Sequence, residues 1–141
     1  MRNFSELYRV QEKYEEAEKL DKKLFEIGDF DRAVEIGNAE SEKRNYAEAE
    51  KWYLAGAEKG NIVSMYSLAY FYENVNDYNY KDVDKAIEWC EKASNEGYPL
   101  AMLRLGHLYY QKGNRRKAKF WFEKALINGR LDAKKGLEKL N

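Results

Sequence analysis

The sequence predicts an all-α fold: a right-handed α-α superhelix, or solenoid, of about four helix pairs closed by a C-terminal capping helix. The first observation behind this is internal repetition. Ala49, Trp52, Gly56 and Gly60 recur as Ala86, Trp89, Ala93 and Gly97, and again as Ala118, Trp121, Ala125 and Gly129, always at steps of three, four and four residues. Units of this length stack on their neighbours around a continuous core instead of folding about one centre. The second is the step itself, since threes and fours place residues on one face of a helix. The third is composition: Pro99 is the single proline in 141 residues, so almost nothing blocks helix.

The elements follow in order as one domain, 1–141, divided into units near 1–28, 29–60, 61–97 and 98–129, with a cap at 130–141. In the first unit, Phe4, Ser5 and Tyr8 mark a helix over 3–11. A fainter copy of the repeat, Ala17, Leu20, Leu24 and Gly28, marks a second over 14–27. In the second unit, Ile36 and Gly37 mark a helix over 31–43, and Tyr46, Ala49, Trp52, Tyr53 and Gly56 one over 46–59. Ser64, Leu68, Ala69, Phe71 and Tyr72 predict a helix over 62–75, and Ala86, Trp89 and Ala93 one over 83–96. The fourth unit repeats the scheme with Ala101, Leu105, Gly106, Leu108 and Tyr109 over 99–112, and Ala118, Trp121 and Ala125 over 115–128. Ala133 and Leu137 match Ala101 and Leu105, so 131–140 reads as half a unit with a polar end, as a solenoid terminus requires.

Punctuation agrees with this division. Gly60, Gly97 and Gly129 fall where a left-handed helix end wants glycine. Asn45 and Asn114 stand at helix starts, where a short polar side chain caps free N–H groups. The small residues Gly37, Ala69 and Gly106 permit close helix crossings, with Tyr109 and Trp121 expected to fill the space beside them. The step from Gly37 to Ala69 is 32 residues and from Ala69 to Gly106 it is 37, and the extra five fall in the Asn- and Asp-rich segment 73–82. That segment predicts a longer loop. It is either a tolerated insertion or a binding loop carried by Tyr78 and Tyr80.

The residues Ala101, Leu105, Gly106, Tyr109, Gly113, Lys117, Ala118, Trp121, Ala125 and Gly129 together resemble a Sel1-like repeat, a relative of the tetratricopeptide repeat. Residues 64–97 match with Ser64 and Ala69 as substitutes, 33–60 match mainly in the second helix, and 4–28 match weakly and lack the Trp. The resemblance implies a non-enzymatic adaptor or scaffold in assembly, signalling or bacterial–host or bacterial–bacterial interactions. Some tetratricopeptide domains clamp a partner's terminal carboxylate, but here only Asn38 and Arg104 occupy comparable places and Val34, Ser67 and Leu100 depart, so that activity is not expected.

Composition narrows the remaining classes. The 25 basic and 25 acidic residues balance, which gives no electrostatic reason to expect nucleic acid or an anionic membrane. No apolar run approaches the ~18 residues of a membrane span, and no secretory signal is visible at Met1–Val10, so a cytoplasmic protein is expected. The Asn, Lys, Tyr and Glu bias suits an AT-rich bacterial genome. One cysteine, Cys90, allows no internal disulfide, and it matches Tyr53 and Phe122 on the apolar face, so a buried thiol is expected. His107 is the single histidine, so no two-His metal site can form. No glycine-rich phosphate loop is present. Arg115-Arg116-Lys117 is a short basic cluster at a helix start, either a solvated edge or a local anion-binding site. No catalytic residue, cofactor site or metal site is expected.

The expected partner is another protein or a peptide, held on the inner face lined by the first helices. Stepping round those helices gives Tyr66, Tyr70 and Glu73 in one unit and Leu103, Arg104, His107, Tyr110 and Gln111 in the next, with Val34, Asn38, Ser41 and Glu42 in the earlier one. Tyrosine combines contact area with a hydroxyl and is over-used at interfaces. The alternative for Tyr66, Tyr70 and Tyr110 is packing between units, and both readings stay open here. At the level of function, a scaffold or adaptor stands beside an immunity or inhibitor protein that neutralises a toxin or enzyme by tight binding.

Overall fold

The computed structural model describes residues 4–141, with side chains from Val10 onward. The expected marks Phe4, Ser5 and Tyr8 therefore lie outside the described side chains. Eight helices and no strand are found among the described residues: α1 (Phe4–Glu26), α2 (Arg32–Glu42), α3 (Tyr46–Glu58), α4 (Ile62–Asn74), α5 (Val83–Asn95), α6 (Pro99–Gln111), α7 (Arg115–Ile127) and α8 (Ala133–Glu138). They form two compact units, Met1–Asn61 and Ile62–Asn141.

In unit one, α1 is one continuous helix of 23 residues where the sequence predicted two. Nothing between residues 11 and 14 breaks it, because Gln11, Glu12 and Lys13 are all good helix formers and no Gly, Pro or Asn intervenes. The faint repeat copy also meets a correction. Leu20 is exposed, and α1 faces its neighbours one residue later, through Glu18, Asp21, Lys22 and Phe25. Glu18 pairs with Lys43 at 3.7 Å, Asp21 with Arg32 at 3.9 Å, and the Phe25 ring stands edge-on to Trp52 at 5.5 Å. A second helix of a repeat normally fits between its own first helix and the next one; α1 packs mainly on α2 and reaches α3 through Lys22 and Phe25 at Trp52.

Helices α2 and α3 form the first complete pair. A Cβ placed on Gly37 would lie 2.5 Å from the Tyr53 ring, so the ring occupies the space that the glycine leaves open. The Tyr53 hydroxyl donates to Asn38 Oδ1 at 2.5 Å, and burial, with Glu42 adding to it, pushes the phenol up to about 12. Asn45 stands before α3 without capping it. Its amide instead donates to Glu40 Oε2 at 2.9 Å. Glu40 fills the place that Tyr72 and Tyr109 hold in the other pairs and is 7% exposed. Burial pushes its carboxyl up, but the hydrogen bonds with Asn45 and Glu18 and the charges of Lys43 and Lys22 outweigh this and hold it below the usual carboxylate range.

In unit two, α4 packs on α5, α5 on α6, α6 on α7, and α7 on α8. Asp82 and Asn114 cap α5 and α7 by accepting from the N–H groups of Lys85 and Lys117, at 3.0 and 3.1 Å. Gly97, Gly113 and Gly129 take positive φ of 90°, 80° and 96° at helix ends, and Gly60 takes 83° in unit one. The Phe122 ring lies between two glycines: a Cβ on Gly106 would meet it at 2.6 Å, and one on Gly136 at 2.5 Å. Phe122 and Tyr53 thus fill the crossings, in place of the expected Trp121 and Tyr109. In the middle pair the matching places hold Ala69 and Cys90, both fully buried. Where the first helix gains a methyl group, the second gives up a ring.

The 73–82 segment folds back on its own pair. Asp82 N–H donates to the Tyr72 carbonyl at 2.9 Å, Val75 is buried, and Tyr80 stands edge-on to Phe71 at 6.2 Å, while Tyr78 is 98% exposed. Helix α8 is shorter than the expected 131–140. Backbone bonds of the tighter i to i+3 type, such as Ala133 N–H to Arg130 C=O and Leu140 N–H to Leu137 C=O, flank it on both sides.

Candidate functional site

The side chains expected to bind a partner sit on the first helices of unit two. Tyr66, Tyr70 and Glu73 follow each other at helical steps on α4, as do Arg104, His107 and Gln111 on α6. The two helices are joined across this face by Arg104, whose Nη1 donates to Glu73 Oε2 at 3.1 Å. Its guanidinium lies 5.1 Å from the centre of the Tyr70 ring. Burial works to lower the Arg104 pKa, but Tyr66 and Glu73 raise it further, so the cation is secure. Among the described residues, the Arg104 Nε is shielded from solvent and has no acceptor.

The eight expected residues divide in three. Tyr70 and Tyr110 are 49% and 36% exposed and Gln111 is open to solvent, so these three present free surface. Glu73, Arg104 and His107 are half-buried and form the polar floor. Tyr66 is also half-buried, with its ring edge-on to Tyr98 at 5.4 Å, and Leu103 is 8% exposed and packs inward, so it offers no surface. In unit one, Asn38 accepts from the Tyr53 hydroxyl. The packing role of Tyr98 had no signal in the repeat pattern, because its place is held by Asn61 and Arg130 in the neighbouring repeats.

His107 stands edge-on to Phe122 at 4.9 Å, and burial, with Lys139 and Arg104 adding to it, lowers its pKa, so the ring is neutral at pH 7. Cys90 is fully buried, its thiol donates to the Ala101 carbonyl at 3.1 Å, and burial pushes its pKa up to about 12. A reactive cysteine needs the opposite, an exposed thiol beside positive charge. Among the described residues, no group of three or more His, Cys, Asp or Glu side chains is placed to hold a metal ion, and no helix is long and apolar enough to cross a membrane.

Comparison with known proteins agrees with the helix pairs. Residues 29–61 and 62–98 match the Sel1 repeat, and residues 100–126 match the tetratricopeptide repeat. The chain is a Sel1-like repeat protein. It is similar to the uropathogenic Escherichia coli protective antigen c5321, which displays an SLR fold, with 27% identity over 82% of this chain and 26% of that one and a TM-score of 0.70. A Sel1 repeat protein from Oxalobacter formigenes is 30% identical over 84% of this chain and 95% of that one, with a TM-score of 0.68. These likenesses place the Sel1-like chain in the all-α solenoid class. Among curated proteins it is similar to chitin synthase regulatory factor 4 of Schizosaccharomyces pombe, at 30% identity over 82 residues, and to the chitin synthase regulator SKT5 of Saccharomyces cerevisiae, at 33% over 94 residues. The Sel1-like chain spans 13% of the length of each of these two regulators. Sel1 and tetratricopeptide repeats typically mediate protein–protein interaction and are generally non-catalytic.

Proposed function

We propose that this Sel1-like protein is a non-enzymatic adaptor of the cytoplasm, holding a segment of a partner protein on the face shared by α4 and α6. The observation that carries the reading is the Tyr70–Arg104–Glu73 cluster. A guanidinium is fixed between a carboxylate and an aromatic face, with one of its N–H groups unsatisfied, while exposed Tyr70 and Tyr110 offer the contact area beside it. Pre-fixed side chains lower the ordering cost of binding, and Tyr and Arg are the residues that most often dominate such surfaces. The names of the yeast relatives, both regulators, favour a regulatory adaptor over a toxin-neutralising inhibitor.

The test is capture of partners from native lysate by wild type and by Tyr70→Ala/Tyr110→Ala. Both positions are exposed, so equal helicity is expected by circular dichroism. A partner held by wild type should bind the variant about tenfold or more weakly, as loss of two aromatic contacts implies. Recovery of that partner at equal affinity by the variant would remove binding from this face.

A further inference from the structure

The outward face of α7 differs from the same face of α3 and α5. At the place of Phe120 the other two helices carry Lys51 and Glu88, and at the place of Ile127 they carry Glu58 and Asn95. Those are the polar residues that a solvated outer face normally holds. Phe120 is 55% exposed and Ile127 is 84% exposed. Seven residues apart, they lie on one stripe of the helix, about 10 Å from each other. The repeats act as an internal control: the fold tolerates charge at both places, so packing does not require either apolar side chain.

The charge around this stripe is also distinct. From residue 112 to 141, ten basic residues stand against three acidic ones, although the whole chain is neutral. Arg116 and Lys124 flank the stripe where α5 has Asp84 and Lys92 and α3 has Ala47 and Ala55. The Lys124 ammonium is held over the rings of Phe120 and Trp121 at 5.7 and 5.2 Å. Beside Phe120 a cavity of about 300 Å³ is lined by Asn114, Arg116, Lys117 and the Phe120 ring itself. Glu123 is the one acidic residue of α7, and it shares the exposed stripe.

We propose that the outward face of α7 docks an acidic amphipathic helix of a partner protein, with Phe120 and Ile127 as apolar anchors and Arg116, Lys117 and Lys124 pairing its carboxylates. Two anchors spaced by two helical turns match the repeat of apolar residues on such a helix. Positive flanks around an apolar stripe select acidic partners and speed their encounter. A protein helix fits better than an anionic bilayer, because Glu123, which lies between the anchors and pairs only loosely with exposed Lys119 at 3.9 Å, would be desolvated against like charge on a membrane, whereas a helix can offer it a second Lys or Arg. This surface is separate from the α4–α6 face and does not depend on that reading.

The probe is a fluorescein-labelled synthetic helix with leucines along one face and glutamates along the other, read by fluorescence anisotropy. Saturable binding is expected, weakened about tenfold or more by F120E/I127E. Both positions are solvent-exposed, and far-UV circular dichroism checks that the fold persists. The same helix with lysines for glutamates should not bind, and Lys51→Ala/Glu88→Ala, at the matching places of α3 and α5, should bind as wild type does. Equal binding by wild type and F120E/I127E overturns the proposal. It is also overturned if the probe fails to bind while phosphatidylserine vesicles, or a second copy of the chain in light scattering, bind in a way that needs Phe120 and Ile127.

Discussion

At the scale of single residues, the crossings are set by volume exchange across each helix pair. Gly37 faces Tyr53 and Gly106 faces Phe122, while the middle pair uses Ala69 with Cys90. Gly106→Ala would place a methyl group 2.6 Å from the Phe122 ring, and overpacking of this kind costs about 1–3 kcal/mol. In a Phe122→Cys background, which copies the middle pair, the same Gly106→Ala change should cost close to nothing. A double-mutant cycle in urea reads the coupling, and additive effects would show that the ring is not the obstacle. A separate strain sits at Arg44, whose φ of 64° stands where Gly113 takes 80°. A left-handed conformation costs an L-residue about 1 kcal/mol or slightly more, so Arg44→Gly should stabilise unit one by about that much in urea unfolding. Cys90 gives a third expectation. With its pKa pushed up to about 12 by burial, the thiol should resist Ellman's reagent in the folded protein and react at once in denaturant. Fast labelling of the native protein at pH 8 would contradict the buried geometry.

At the scale of elements, most helices stand within two residues of where period and punctuation place them, because each is bounded by a glycine or an Asn or Asp that the chain needs for geometry. α6 is an example: Pro99 fits the first helical turn, and the backbone leaves it beyond Gln111 toward Gly113. α1 shows where such reading stops. Its two halves were expected to fold into a pair because the repeat suggested it, but no residue between 11 and 14 supplies a turn, and local helix propensity prevailed. Asn45 and Asn114 look alike in sequence. Asn114 caps α7, whereas Asn45 is taken by Glu40, a non-local partner that no local pattern reveals. That contact should make unit one acid-sensitive. The Glu40 pKa is held below its unfolded value, so its contribution is full above about pH 4.3, the unfolded value, and is lost as pH falls through the folded pKa. Hydrogen exchange should therefore show α2 and α3 losing protection at a higher pH than α6 and α7. Glu40→Gln should flatten this dependence, and an unchanged acid profile in that variant would remove Glu40 as its origin.

At the scale of the whole molecule, the solenoid class was legible because repetition is written directly in residue types, while the binding surfaces were only partly so. Tyr70 and Tyr110 could be placed on an outward face by helical stepping, yet Leu103 lay one position too far toward the core, and the Arg104–Glu73 bond depends on two helices whose separation the sequence does not state. Net charge likewise conceals a distribution along the chain. A neutral total of 25 against 25 hides 11 basic and 15 acidic residues in Met1–Asn61, and 14 basic and 10 acidic in Ile62–Asn141. One unit is negative and the other positive by the same amount, although the pI of the whole chain is near 6.6. Opposite units of different molecules should then attract, and the absence of net charge leaves no general repulsion to oppose them. The attraction should be strong at 0.01 M salt, where the Debye length is about 30 Å, and largely screened at 0.15 M, where it is about 8 Å. Static light scattering at pH 7 should accordingly give a negative second virial coefficient at the lower salt that rises toward zero or above at the higher. A coefficient that is positive at 0.01 M and indifferent to salt would mean that the charge separation between the units has no reach in solution.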